Sequence, residues 1–154
     1  MIEDLLIKMA SGKPIHEVKK PFMRFLRFKV GKEEFLIDLP LVVEITEPKA
    51  LYPVPNSAYF LLGLINHRGN VIPIYDIRTI FNIYDVRKSN ESCYIILSFQ
   101  DENVGLFVDQ VIDVVEVYDE KDILEGDEFI SDYGIIMDNK KLNILDIELI
   151  LNKR

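Results

Sequence analysis
The places to look for reactivity in this 154-residue chain are two histidines, one cysteine and a surplus of carboxylates. His16 lies between Pro14 and Pro21, and His67 lies in Asn66-His67-Arg68-Gly69-Asn70. With no Cys-x-x-Cys and no His-x-x-x-His, they give no recognisable metal-ligand spacing. His67 beside Asn66 and Arg68 has a general-base reading. The alternative is a histidine solvated at the tip of a turn, and that is the expectation. Cys93 sits in the apolar run Ser92 to Phe99, where a thiol is ordinarily inert packing. There is no Gly-x-Ser-x-Gly, no Gly-rich phosphate loop and no Gly-x-Gly-x-x-Gly. Asp76 and Asp146 stand where helix N-caps belong. The other carboxylates fall mostly in loops or at strand ends. An acid/base pair assembled in space stays open at this stage.

Arginine is the more informative residue. Arg68 is a planar, fork-like donor placed at a turn, suited to a bidentate carboxylate. Glu44 interrupts an apolar strand and is a candidate intramolecular partner; the competing reading has Arg68 solvating the tip. Arg78 is expected on the polar side of a short helix. Gly63 and Gly105 lie inside strand patterns, where glycine marks a bulge or a close backbone approach.

The elements that must position these residues read as follows. Ile2, Leu5, Leu6 and Met9 follow the i, i+3, i+4, i+7 spacing of an amphipathic helix. Gly12, Pro14 and Pro21 then make residues 1–21 an appendage and linker. Phe22 to Val30 and Glu33 to Leu39 read as strands around a Gly31-Lys32 turn, and Leu41 to Thr46 is a third run. Pro48, Pro53 and Pro55 hold residues 47–56 extended. Leu61 to Ile65 and Val71 to Tyr75 form a hairpin, with Ile77, Ile80 and Phe81 at helical spacing after the Asp76 cap. Residues 84–91 read as a connecting loop. Further strands cover Ser92 to Phe99, Asn103 to Asp109 and Val111 to Val117. Asp119 to Asp127 is an acidic loop with room for a short helix. Phe129 to Met137 and Lys141 to Leu145 form a second hairpin, turning at Asp138-Asn139-Lys140, and a short helix follows the Asp146 cap.

The second hairpin repeats the first. Residues 63–81 lie on 134–151 with one residue of gap, which sets Arg68 against Asn139. Val42-Val43-Glu44-Ile45 lies on Val111-Ile112-Asp113-Val114. This weak duplication predicts two similar β subdomains of roughly five strands each, covering about 22–83 and 92–151 and packed on each other.

Composition sets outer bounds. Half the residues are hydrophobic, enough for a sizeable core, and the net charge is −8. That balance argues against nucleic acid and against an anionic membrane face. A single cysteine excludes an intrachain disulfide and fits a reducing compartment. No apolar run approaches the roughly 20 residues of a membrane-spanning helix, so the expected location is cytoplasmic.

One ordered string is similar to a known family. It runs Val54-Pro55-Asn56, then Gly63-Leu64-Ile65-Asn66-His67-Arg68-Gly69-Asn70, then Val71-Ile72-Pro73-Ile74-Tyr75-Asp76-Ile77-Arg78. It resembles the CheW-like family of chemotaxis coupling proteins, which typically read Gly-apolar-apolar-Asn-Leu-Arg-Gly and apolar-Pro-apolar-apolar-Asp-Leu-Arg. Ile37-Asp38, Gly105-Leu106-Phe107-Val108-Asp109 and Ile144-Leu145-Asp146-Ile147 also fit, so the resemblance covers residues 22–151. The main departure is His67, where the family usually has leucine.

The resemblance implies a mainly β fold of two intertwined five-stranded SH3-like barrels with a few short helices. It implies a non-catalytic, cofactor-free adaptor in bacterial-type signal transduction. Its partners would be the cytoplasmic tip of a methyl-accepting chemoreceptor and the regulatory domain of a chemotaxis histidine kinase. Val42, Glu44, Gly63, Arg68, Gly105 and Val114 match positions associated with that coupling. The alternatives are the same module in surface motility or second-messenger signalling, and a small ligand-binding barrel.

Overall fold
The computed structural model describes residues 21–85, 89–118, 123–125 and 133–154. Its strands are β1 (Met23–Val30), β2 (Glu33–Asp38), β3 (Val42–Thr46), β4 (Leu61–His67), β5 (Asn70–Tyr75), β6 (Cys93–Phe99), β7 (Glu102–Val108), β8 (Gln110–Val117), β9 (Ile123–Glu125), β10 (Tyr133–Met137) and β11 (Lys140–Ile144). A 3-10 turn at Leu39–Leu41 and a helix α1 at Ile147–Leu151 complete them. One sheet runs β8-β1-β2-β11-β10-β9 and the other β3-β6-β7-β5-β4. The first therefore has six strands instead of the five expected, β9 being the addition.

The duplication is visible in the pairing. In each sheet a hairpin (β1-β2 or β6-β7) meets a second hairpin (β10-β11 or β4-β5) through one parallel contact, β2-β11 or β5-β7. The remaining strand crosses over: β3 pairs with β6, and β8 pairs with β1. Both crossing strands carry a register shift, at Val42/Glu44 and opposite Arg27/Phe28. Each sheet thus draws strands from both halves of the chain, and the subdomains are intertwined.

Hydrophobic patterning yields three cores. Phe25, Leu36, Val115, Val117, Ile135, Leu142 and Ile144 fill the first barrel. Ile65, Ile72, Ile74, Tyr94 and Ile96 fill the second. The largest cluster lies between them, where Phe28, Phe35 and Ile37 meet Ile95, Leu97, Leu106 and Val108. Two similar units have become one body because alternate residues of β1, β2, β6 and β7 face the shared core.

The hairpin turns are sharper than the tip sequences imply. Arg68 and Gly69 (φ 53° and 83°), Gln100 and Asp101 (50° and 63°), and Asp138 and Asn139 (52° and 61°) all have positive φ. Two such central residues match the right-handed twist of the flanking strands. The structural counterpart of Arg68 is therefore Asp138, one residue before the Asn139 expected from the alignment.

Asp76 accepts the Arg78 N–H at 2.9 Å, as a cap should. Yet no helix follows: the chain turns irregularly, with Phe81 N–H to Ile77 O and Ile83 N–H to Arg78 O. Asn82 at φ 54° helps end it. Burial of Ile77 and Ile80 in the shared core holds this segment as a single hydrogen-bonded turn that does not continue into a helix. The helix after Asp146 does form, with Asp146 accepting the Glu148 N–H. Within the acidic loop, Ile123–Glu125 is a strand instead of a helix. The rest of that loop and the N-terminal amphipathic stretch lie outside the described residues.

Candidate functional site
β3 and β4 are the two edges of the five-stranded sheet. They share no ladder, and side chains join them instead. Glu44 rises from the β3 bulge and splits its carboxylate. Oε2 meets His67 Nε2 at 2.8 Å, and Oε1 accepts from Arg68 Nη2 at 3.0 Å. The pairing of Glu44 with Arg68 expected from the sequence is present.

The solvated histidine is not. His67 closes β4 and is only 7% exposed. Residues alternate along a strand, and His67 shares the inward parity of Ile65, so the polar tip begins one residue later than its sequence suggests. Its second nitrogen, Nδ1, lies 2.5 Å from Lys49 Nζ. An ammonium has only protons to give. Nδ1 therefore accepts from Lys49, and Nε2 carries the hydrogen donated to Glu44. That hydrogen bond is the main reason the Glu44 carboxyl is held below its ordinary range; the charges of Arg68 and Lys49 act the same way, against the effect of burial.

The segment after β3 is a strap over this corner. Tyr94 Oη donates to the Lys49 carbonyl at 3.0 Å. Tyr52 and Leu64 exchange backbone hydrogen bonds of 2.8 and 2.9 Å. Gly63 makes that approach possible: a Cβ there would lie 2.8 Å from the Tyr52 carbonyl oxygen, at φ +152°. Arg68 projects outward, its side chain 74% exposed. The same elements expose Val43, Ile45, Tyr52, Leu62 and Val71. An exposed guanidinium suits recognition of a carboxylate-bearing surface.

The six positions singled out by resemblance do not form one patch. Glu44, Arg68 and Gly63 belong to the seam and strap. Val42 begins β3 and packs against the shared core. Gly105 is buried in β7, where a Cβ would collide with Ile74 Cδ1. Val114 is half-exposed on β8, in the other sheet. Lys49 is the member of the cluster that sequence reasoning missed; His67 was singled out, but as a solvated tip residue.

Two further ionic groups have structural explanations. Arg78 is not on a solvated helix face: its guanidinium is buried against Asp109 at 2.6 Å, with Asp76 at 3.4 Å. Asp109 also accepts the Gly31 N–H at 2.6 Å. On β8, Asp113 takes both arms of Arg27 at 2.8 and 2.7 Å. Burial in β6 pushes the Cys93 thiol up, away from the reactive thiolate. Among the described residues no group of three or more His, Cys, Asp or Glu could hold a metal ion. Nor is any helix among them long and apolar enough to cross a membrane.

Comparison with known proteins agrees with the sequence resemblance. The profile of the CheW-like domain matches residues 24–154. The chemotaxis protein CheW of Helicobacter pylori is 30% identical over 152 residues, covering 95% of this chain and 92% of that protein. The chemotaxis protein CheW of Bacillus subtilis is 29% identical over 136 residues, covering 84% and 87%. The crystal structure of the scaffolding protein TtCheW from Thermoanaerobacter tengcongensis superposes with a TM-score of 0.75 at 27% identity, covering 82% of this chain and 90% of that one.

Proposed function
Because the chain belongs to the CheW-like family, we propose that it is a non-catalytic scaffold of chemotaxis signalling, coupling methyl-accepting chemoreceptors to a histidine kinase. The observation that carries this reading is the Glu44–Arg68 corner. It presents an exposed guanidinium anchored to Glu44, and among the described residues no group of three or more His, Cys, Asp or Glu could hold a metal ion. Its relatives in H. pylori and B. subtilis are chemotaxis proteins, and its structural neighbour is a scaffolding protein. The Glu44, Gly63 and Arg68 corner is one docking surface in this reading. Val114 on the other sheet belongs to a second, so that one molecule bridges two partners.

A small ligand-binding barrel is the weaker alternative. Both barrel interiors are packed with aliphatic and aromatic side chains, and a ligand site needs a concave pocket with converging polar groups. The test is Arg68→Glu in a pull-down with the receptor cytoplasmic domain and the kinase regulatory domain. Capture of at least one partner should fall about tenfold or more with the fold intact, in line with charge reversal at a recognition arginine. Undiminished capture of both would overturn the assignment of this corner.

A further inference from the structure
The Nδ1 lone pair of His67 holds either the Lys49 ammonium or a proton, never both. We propose that His67 is a proton-sensitive latch: neutral, it pins the strap at Lys49 to the β3–β4 seam, and on protonation it lets that side chain go. The inference is independent of which partner the surface serves.

The charged and titratable groups around His67 are few. Glu44 faces Nε2 from β3, and Lys49 faces Nδ1 from the strap. Arg68, on the adjoining turn, touches the other oxygen of Glu44. Tyr94 on β6 reaches the Lys49 carbonyl. In the neutral state each of these has a role consistent with its hydrogens. Lys49 donates to Nδ1, Nε2–H donates to Glu44, and the second Glu44 oxygen is left for Arg68.

A second proton on the ring can only go to Nδ1. It would turn an acceptor facing Lys49 into a cation facing a cation at hydrogen-bond distance. The Nε2–H bond to Glu44 survives this change and becomes charge-assisted. The two ends of the histidine therefore respond in opposite ways. The seam between β3 and β4 stays closed while Lys49 swings out. Release is confined to the strap near Lys49, because Tyr94 still holds the Lys49 carbonyl and Tyr52 still pairs with Leu64. Protonation also adds one positive charge, on the imidazole, next to Arg68, strengthening the appeal of this corner to an acidic surface.

Nuclear magnetic resonance of the full chain tests this. At pH 8 the imidazole nitrogen shifts should report a single Nε2–H tautomer. As the pH is lowered and the nitrogen shifts report a proton on Nδ1, the amide signals of Glu47, Lys49 and Ala50 should move in parallel while those of Ile65 and Ile72 stay put. Lys49→Met should abolish that parallel movement while His67 still titrates. At pH 8 it should also speed amide exchange at Glu47 and Ala50 about threefold or more. An Nδ1–H tautomer at pH 8 would overturn the proposal. So would strap signals that stay still as His67 protonates, or a Lys49→Met variant with the same strap response as wild type. His67→Leu should lack the response altogether, and Lys49→Met keeps the test decisive if that variant does not fold.

Discussion

Glu44 on β3 and His67 on β4 face each other across the seam that no strand ladder closes, with Nε2 and Oε2 2.8 Å apart. A partly buried imidazole donating to a carboxylate replaces the backbone bonds that a continuous barrel would supply there. Because His67 and its neighbours hold Glu44 below its ordinary range, the folded state binds fewer protons than the unfolded chain in that range. The stabilisation is present above the ordinary value of 4.5 and is lost as pH falls through the lower folded value. Glu44→Gln should therefore melt lower than wild type at pH 7, and the deficit should shrink toward zero well below pH 4.5. Thermal melts across that range measure it.

Arg78 and Asp109 form the most buried ion pair described, their side chains 12% and 7% exposed. Arg78→Met leaves the Asp109 carboxylate without its charge partner, which costs about 3–5 kcal/mol. Adding Asp109→Asn removes the stranded charge and keeps an acceptor for the Gly31 N–H. The double variant should recover more than half of the loss in urea unfolding.

Asp38 is the counterpart of Asp109 in the other half, and Asp146 of Asp76. The residue corresponding to Arg78 is Glu148, so among the described residues no arginine takes its place between this second pair. Burial, and then the charge of Asp146, pushes the Asp38 carboxyl above its ordinary value of 3.8. A raised carboxyl weakens the fold at pH values above the ordinary one, most fully once both folded and unfolded forms are ionised, and costs nothing below it. Asp38→Asn should raise the melting temperature at pH 7 by about 1–3 °C, and give no gain at pH 3. Calorimetry at both pH values decides the point.

Gly63 and Gly105 should differ in kind. Gly63→Ala adds a Cβ at φ +152° against a fixed backbone oxygen, costing at least about 2 kcal/mol and loosening the Tyr52–Leu64 contact. Gly105→Ala meets the flexible end of Ile74 instead, a repacking cost of about 1–3 kcal/mol. Strap amides should exchange faster in the first variant only.

Much of this was legible in the sequence because it is local. Alternation gave the hairpins, the Asp146 cap gave α1, and an acidic residue interrupting an apolar strand pointed to Glu44 as a partner for Arg68. What was illegible depends on residues far apart. Arg78 reads as a surface residue until Asp109 arrives from the other half of the chain. Lys49 carries no signal among the prolines of the strap. His67 did have one: its parity with Gly63 and Ile65 points inward, but the polar neighbours Asn66 and Arg68 masked it. Asp76 carries a proper cap signal, yet shared-core burial of Ile77 and Ile80 overrides the helix it announces.

The exchange of β3 and β8 between sheets also governs how the molecule must be made. β2 finds its parallel neighbour β11 in the other half of the chain, with Phe35 opposite Asn143. During synthesis the first barrel cannot close until β11 has left the ribosome, and β3 waits for β6. Such distant pairings make for slow folding. Severing the chain between the halves would yield two fragments with unmatched strand edges that regain the native form only by finding each other.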